Sequence, residues 1–243
     1  MKSEEFDKIY KLENTHWWYV GMREICFSVL GRFLAPEKPL KILDIGCGVG
    51  GNLVELEKFG DAQGIDLDPH AVELCRKNGH RCAVGDLTAL GLEKDSYDLI
   101  TLFDVLNQID VGRVPKILGD LKAGLKPNGL LALREPAIRL VGGRHDLDVN
   151  IHFRLDKQQA VKLLEEAGFK VLYASYINFL LFIPILIKRR LDLLSDSSPK
   201  SDVYEHNAVV NAALLAVLRL EKTLLKFVTQ PFGVSLFVVA TVS

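Results

Sequence analysis

Four cysteines are all the thiol chemistry in the chain's 243 residues: Cys26, Cys47, Cys75 and Cys82. None forms a CxxC pair, and no Cys/His spacing suits zinc. That excludes a disulfide framework and a zinc module, and it predicts reduced thiols in a cytoplasmic protein. Charge of one sign is missing as well. With 30 Lys and Arg against 31 Asp and Glu, the net charge is −1, so there is no electrostatic footprint for DNA or RNA. No uninterrupted apolar run reaches the roughly 18 residues of a membrane-spanning helix. The opening stretch MKSEEFDKIYKLEN is charged and lacks an apolar centre, so it does not read as a signal peptide. The sequence shows no internal repeat and no low-complexity tract.

What the chain does have is apolar content: 49% hydrophobic residues and a mean hydropathy of +0.16. A chain of this length can bury a substantial core without staples, and its low net charge argues against disorder. Short apolar runs at 40–45, 62–67, 81–84, 97–103, 130–134, 170–176 and 233–242 read as strands. Between the early ones lie helical patterns, with Pro69 and Asp156 at good helix starts and Gly168 at a helix end. Residues 126–129 read as a turn. Strands alternating with helices predict βαβ units and a parallel sheet. Residues 1–38 read as a helical N-terminal cap and 39–243 as the main domain, with 177–232 as a hydrophobic insertion before the last strand.

The strongest local signal is Asp44-Ile45-Gly46-Cys47-Gly48-Val49-Gly50-Gly51, where a strand meets a run of glycines and then a helix. Glycine there lets backbone approach a ligand with no Cβ in the way. Gly46, Gly48 and Gly51 also satisfy GxGxxG, so a dinucleotide site fits the loop by itself. Asp66 ends the next strand, where a carboxylate can accept from both hydroxyls of a ribose; this suits either ligand. Asp86 ends the third strand, where it can accept from an adenine amino group, and Phe103-Asp104 end the fourth.

Taken together, LDIGCGVG, GIDLDP, GDL, YDLITLFDVL and LKPNGLLAL resemble, in order and spacing, the class I S-adenosylmethionine-dependent methyltransferases. The resemblance covers residues 40–135. It implies a Rossmann-like α/β fold with a seven-stranded, mostly parallel sheet and an antiparallel last strand. It also implies S-adenosyl-L-methionine as cofactor. Gly46, Gly48 and Gly50 would pack under its methionine part, supported by Asp44. Asp66, followed by Leu67, would hold the ribose, and Asp86 with Leu87 would meet the adenine. Phe103 and Asp104 would lie beside the methionine end. Glu13-Asn14-Thr15-His16-Trp17-Trp18-Tyr19 with Arg23 is similar to the HWW-and-Arg signature of a bacterial subgroup akin to the ubiquinone and menaquinone methyltransferases. In that subgroup Trp18 would lie over cofactor or substrate, and Arg23 would meet the cofactor carboxylate.

The general base is less determined. Histidine titrates near neutral pH, which makes His145 the first choice, with Asp146 or Asp148 fixing its tautomer; His152 and Arg154 follow. There is also a departure from the resemblance. Relatives usually follow Asp104-Val105-Leu106 with Glu-His, and here Asn107-Gln108 stand instead.

The eleven residues Ile177–Ile187 (INFLLFIPILI) are followed by Lys188-Arg189-Arg190. They are too short to span a bilayer core of about 30 Å, and Pro184 interrupts them. Three readings stand: a greasy lid over a lipid-like substrate, a peripheral membrane contact through 177–190, and a dimer interface. The expected activity is methyl transfer, O-methylation before C-methylation, to a small hydrophobic or glycosylated acceptor. The expected protein is a monomer or homodimer with no nucleic-acid partner and no metal. The rivals are an NAD(P)-dependent oxidoreductase, for which no YxxxK constellation is present, and a non-catalytic S-adenosylmethionine-binding protein.

Overall fold

The computed structural model describes residues 3–34, 38–137, 154–194 and 206–242. Two helices come first, α1 (Ser3–Leu12) and α2 (Trp17–Leu30). Then β1 (Leu40–Ile45), α3 (Leu53–Leu56), β2 (Gly60–Asp66), α4 (Pro69–Lys77), β3 (Cys82–Val84) and β4 (Tyr97–Phe103) follow in alternation. Next come α5 (Val114–Gly124), β5 (Leu125–Pro136), α6 (Lys157–Glu166) and β6 (Lys170–Ile177). Two helices, α7 (Phe182–Leu194) and α8 (Ala208–Leu224), separate β6 from β7 (Ser235–Thr241).

The seven strands form one sheet in the order β3-β2-β1-β4-β5-β7-β6. Neighbours from β3 to β5 are parallel, and β7 is antiparallel to both β5 and β6. This is the expected sheet with its last strand reversed. Alternation along each strand splits the core in two. Ile42 and Leu99 face a layer containing α2 and α8, whereas Leu43, Ile45, Ile100 and Leu102 face α5 and α6. Both faces are covered, which is why these strands read as nearly unbroken apolar runs.

Local chemistry explains the helix starts. Asp68 accepts from the N–H groups of His70 and Ala71 ahead of Pro69. Asp156 and Gln159 form a reciprocal capping box on α6, and Gly168 follows with φ +83°. One expectation needs correction. The strand expected at 130–134 begins earlier: β5 starts at Leu125, opposite Tyr97, and the expected turn at 126–129 lies within it as a break in register with β4, with Asn128 at φ +62°. Asn128 N–H donates to Val242 and Gly129 accepts from it, so pairing with the end of β7 carries the backbone through.

The insertion joins the sheet at one edge. Ile177, the last residue of β6, lies opposite Ser235, the first of β7, and Pro136 at the end of β5 pairs with the same serine. Residues 178–234 therefore leave and return at the carboxyl edge of the parallel strands. On the way, α8 lies along α2. Asn211 Oδ1 accepts from Trp17 N–H (2.8 Å), its Nδ2 donates to Thr15 O (3.0 Å), and Glu24 accepts from Arg219 and Lys222.

Candidate active site

In open parallel sheets, ligands bind outside the carboxyl ends of the strands. There β1 runs into the glycine loop. Gly46 N–H and Cys47 N–H both donate to Ile65 O, bending the chain against β2. Gly46 has φ +72°, and a Cβ on it would lie 2.4 Å from Val105 Cγ2, in the loop after β4. Gly50 has φ +100°, and its Cβ would lie 2.6 Å from His80. Both conformation and space demand glycine at these two positions.

Asp66 ends β2 and faces the loop. Its Oδ2 accepts from Gly48 N–H (2.8 Å) and its Oδ1 from Asp68 N–H (3.0 Å). Burial raises its pKa, against those two N–H groups. A carboxylate has about four acceptor sites, so capacity for two hydroxyls remains. The next residue, Leu67, is 68% exposed, an unusual setting for a large aliphatic side chain. Gly85 N–H donates to Asp66 O, bringing the end of β3 alongside. There Asp86 Oδ1 accepts from the N–H and hydroxyl of Thr88, capping a 3-10 turn, Leu87–Ala89, in which Leu87 is buried.

Asp44 lies fully buried behind the loop. Its Oδ1 accepts from the Thr101 hydroxyl (2.5 Å), while its Oδ2 is buried with no hydrogen-bond partner. Burial pushes this carboxyl up to about 7, opposed by Thr101 and by the charge of Arg134. An orphaned carboxylate oxygen behind a glycine cradle suits a ligand that brings a cationic donor.

The end of β4 holds a second charged group. Asp104 adopts φ +63° and accepts from Arg134 Nε (3.0 Å) and Nη2 (2.5 Å). Arg134 also stacks over Phe103, 5.1 Å from its centroid. Burial alone would lower the arginine's pKa, but the charge of Asp104 overcomes it and holds the guanidinium charged. Glu135, next along β5, is buried and accepts from the backbone N–H groups of Val105, Leu106 and Asn107 and from Asn107 Nδ2. Burial, then Asp104, push its carboxyl up to about 7. Gln108 Nε2 donates to Asp104 O (2.9 Å). The two amides, Asn107 and Gln108, thus fasten the loop after β4.

The N-terminal helices clasp the glycine loop. Arg23 donates to Gly51 O (3.1 Å), Glu13 O and Asn14 Oδ1. Glu13 is buried and accepts from Asn78 Nδ2. Burial pushes it up to about 7, against Arg23, His80 and Gly51 N–H. Tyr19, one turn before Arg23, also faces this site. Burial and the charges of Glu5 and Glu13 raise its pKa, with Arg134 opposing. Trp18 packs against the buried pair Phe182 and Val234, on which Ile185 and Leu186 of α7 also pack. His145, Asp146, Asp148 and His152 lie outside the described residues. Arg154 is buried and donates to Ala137 O (3.0 Å). Sequence reasoning quoted Glu13 and Tyr19 within the HWW-and-Arg signature without giving them a role, and it missed Thr101 and Glu135. Glu135 carried one signal, a carboxylate next to Arg134 just past the apolar run Leu130–Leu133.

A family model described as a methyltransferase domain matches residues 20–174. The chain belongs to that methyltransferase family. It carries that family's methyltransferase domain, and the dinucleotide reading of Gly46, Gly48 and Gly51 is set aside. Among curated relatives it is 27% identical over 150 residues to a tRNA N(3)-methylcytidine methyltransferase of Drosophila melanogaster, covering 56% of this chain and 44% of that protein. It is 26% identical over 169 residues to O-methyltransferase 3 of Dictyostelium discoideum, covering 58% and 39%. The chain thus spans less than half the length of these relatives. Among solved structures, phosphoethanolamine N-methyltransferase 2 of Haemonchus contortus with S-adenosyl-L-methionine superposes with a TM-score of 0.60 at 16% identity. That match covers 89% of this chain and 51% of the other, and it shows the shared fold.

Proposed function

We propose that this methyltransferase O-methylates a small hydrophobic or glycosylated acceptor, as the HWW-and-Arg subgroup akin to quinone methyltransferases would. C-methylation of a quinone-like ring is the next choice. The observation that carries the acceptor reading is an aromatic cluster in the insertion. Phe179 and Phe182 lie 4.7 and 5.1 Å from Phe232, where the chain leaves β6 and approaches β7, at the edge that holds the glycine loop. An apolar wall there favours an apolar acceptor over a nucleic acid.

The residues fit the cofactor. Asp66 would hold the ribose, Leu67 and Leu87 would flank the adenine, and Asp86 would meet its amino group through the oxygen not turned to Thr88. Gly46, Gly48, Gly50 and Asp44 would cradle the methionine part, beside Phe103 and Asp104. Arg23 would reach the carboxylate while clasping Gly51, and Trp18 would back the substrate side. S-adenosylmethionine supplies an electrophilic methyl group on a sulfonium sulfur, so the protein's work is placement and exclusion of water. His145, its tautomer fixed by Asp146, would take the acceptor proton. In this reading residues 1–38 form a cap, 177–232 form a lid, and the protein is a cytoplasmic monomer or homodimer. Residues 177–190 would make peripheral membrane contact.

Incubation with S-adenosylmethionine and separate pools of phenolic or quinol lipids, glycosides, tRNA and ribosomal protein tests this. Mass spectrometry should find an added methyl group on a phenolic or glycosidic oxygen. Methylation confined to tRNA or protein would overturn the acceptor class.

A further inference from the structure

Three of the chain's four thiols meet under the glycine loop. Cys47 belongs to the loop, Cys75 to α4 and Cys82 to β3, and Gly64 of β2 leaves room between them. A Cβ on Gly64 would lie 2.6 Å from Cys47 Sγ. Gly64 stands opposite Cys82 in the parallel ladder, so the Cys82 side chain lies on that same face of the sheet. Cys75 covers this face from α4, its Sγ 3.1 Å from the place a Cβ on Gly50 would take. The Cys75 thiol is hydrogen-bonded to both of the others. Cys75 is therefore the middle of a line of three sulfurs.

The line runs from the surface to the glycine loop. β3 is an edge strand of the sheet, and Cys82 is part-exposed, whereas Cys75 and Cys47 are buried. Cys82 Sγ donates to Val72 O (3.4 Å), and Arg76 holds Cys82 O through Nε (3.1 Å) and Nη2 (2.9 Å). The hydrogen bond from Cys47 lowers the pKa of the Cys75 thiol against its burial, and Cys82 and the charge of His80 lower it further. His80 is itself paired with Glu57 (2.8 Å). A thiolate in this cluster thus falls on the middle sulfur. A single buried thiol is only a small apolar side chain. Three in mutual reach, with one end open to solvent, can pass an oxidation inward.

We infer that Cys82, Cys75 and Cys47 form a thiol relay for hydrogen peroxide, which carries a disulfide from the sheet edge to the glycine loop and loosens that loop's hold on S-adenosylmethionine. The relay chemistry stands on the thiols alone, and its effect on binding rests on the cofactor site proposed above. Cys82 passes its proton to the Cys75 thiolate, and its sulfur attacks peroxide. An S–O bond forms, the O–O bond breaks, and the hydroxide released takes the proton back from Cys75 as water. The Cys75 sulfur then attacks Cys82; the S–S bond forms, the S–O bond breaks, and hydroxide leaves. That hydroxide takes the Cys47 proton as a second water. The Cys47 sulfur attacks Cys75 and displaces Cys82 as thiolate. Two thiols are oxidised and one peroxide is reduced. The new bond draws the Cys47 sulfur to about 2.05 Å from that of Cys75. Gly46 and Cys47 N–H are tied to Ile65 O, and Gly48 N–H to Asp66, so pulling Cys47 toward α4 disturbs the bonds that shape the cradle.

Peroxide treatment of the full chain, followed by alkylation and peptide mass mapping, tests this. Cleavage after Lys41, Lys58, Arg76, Arg81 and Lys94 puts each of the three cysteines in its own tryptic peptide. The wild type should link Cys75 to Cys82 early and Cys47 to Cys75 later, while the buried Cys26 stays reduced. Cys82→Ser should slow the oxidation by at least about tenfold. Cys75→Ser should leave Cys82 as a sulfenic acid that dimedone traps, with no disulfide. By calorimetry, the oxidised wild type should bind S-adenosylhomocysteine at least about tenfold more weakly than the reduced form, the worth of one hydrogen bond to a charged group. Dithiothreitol should restore it. Cys47→Ser should still link Cys75 to Cys82, with equal affinity in its own reduced and oxidised samples. A wild type that forms no disulfide among these three overturns the inference, as does a disulfide that joins two chains. So does a Cys47–Cys75 bond that leaves affinity unchanged, or Cys82→Ser oxidised as fast as the wild type. Absence of S-adenosylhomocysteine binding in the reduced wild type would count against the cofactor-site assignment and leave the peptide map standing.

Discussion

Gly21 and Leu218 share one packing site: a Cβ on Gly21 would lie 2.3 Å from Cδ1 of Leu218. The missing side chain lets α2 and α8 close on each other, and α8 is thereby anchored to the helix that carries Tyr19 and Arg23. Gly21→Ala forces Leu218 or the helix itself to move. We expect a loss of about 1–3 kcal/mol of stability, the usual cost of overpacking. Chemical denaturation should show it as a lower midpoint, and Leu218→Ala in the same chain should recover part of it.

Asp66 is the acceptor on which both the glycine loop and the proposed ribose contact depend. Asp66→Asn places an amide N–H₂ against one of two N–H donors, Gly48 or Asp68, and removes the charge. S-adenosylhomocysteine affinity should fall by about tenfold to a hundredfold, the worth of one or two hydrogen bonds to a charged group. Calorimetric titration measures it, and unchanged affinity would remove Asp66 from the site.

Asp44 should make cofactor binding depend on pH. Its carboxyl is pushed up to about 7 by burial. Below that value it is protonated and offers a cationic ligand no charge. Above it, the carboxylate pairs with the cation. Affinity should therefore rise as pH increases through about 7, with a proton released on binding, and Asp44→Asn should flatten the curve. Stability moves the other way. A carboxyl whose folded pKa lies above its unfolded value adds stability in acid that is lost as pH rises through about 7.

Asp104 compensates a buried cation. Arg134 is 12% exposed in its side chain, and Asp104 supplies both of its paired hydrogen bonds. Asp104→Ala leaves that guanidinium without its carboxylate. The expected cost is about 2 kcal/mol, less than for a fully buried pair because Asp104 itself is 42% exposed. Thermal unfolding checks it, and Asp104→Ala with Arg134→Met should be more stable than the single variant.

Much of this architecture is legible in the chain because its causes are local. The central strands β1 and β4 and the last strand β7 are apolar runs, and Gly46 and Gly50 announce a sharp loop through their spacing alone. Asp156, Gln159 and Gly168 mark the ends of α6 by short-range hydrogen bonding. The clasp of Glu13 and Arg23 on Gly51 is not legible in this way. Its partners lie 28 and 38 residues apart, and nothing at either end states that the two will meet. Asn107-Gln108 read as the loss of a Glu-His pair, and only the fold turns the Asn107 amide toward Glu135.

The sequence by itself determined the sheet, the glycine loop and the order of acids along its edge. Those depend on periodicity, backbone conformation and strand ends, which act over a few residues. Tertiary structure alone decided the charge states and the roles. Asp44 and Glu135 are displaced toward neutrality because packing removes water from them, and Asp86 spends an oxygen on its own turn. The insertion divides into an inner face that packs on Trp18 and an outer stripe of Ile183, Ile187 and Leu191 that does not, because only the sheet beneath it distinguishes one side of α7 from the other.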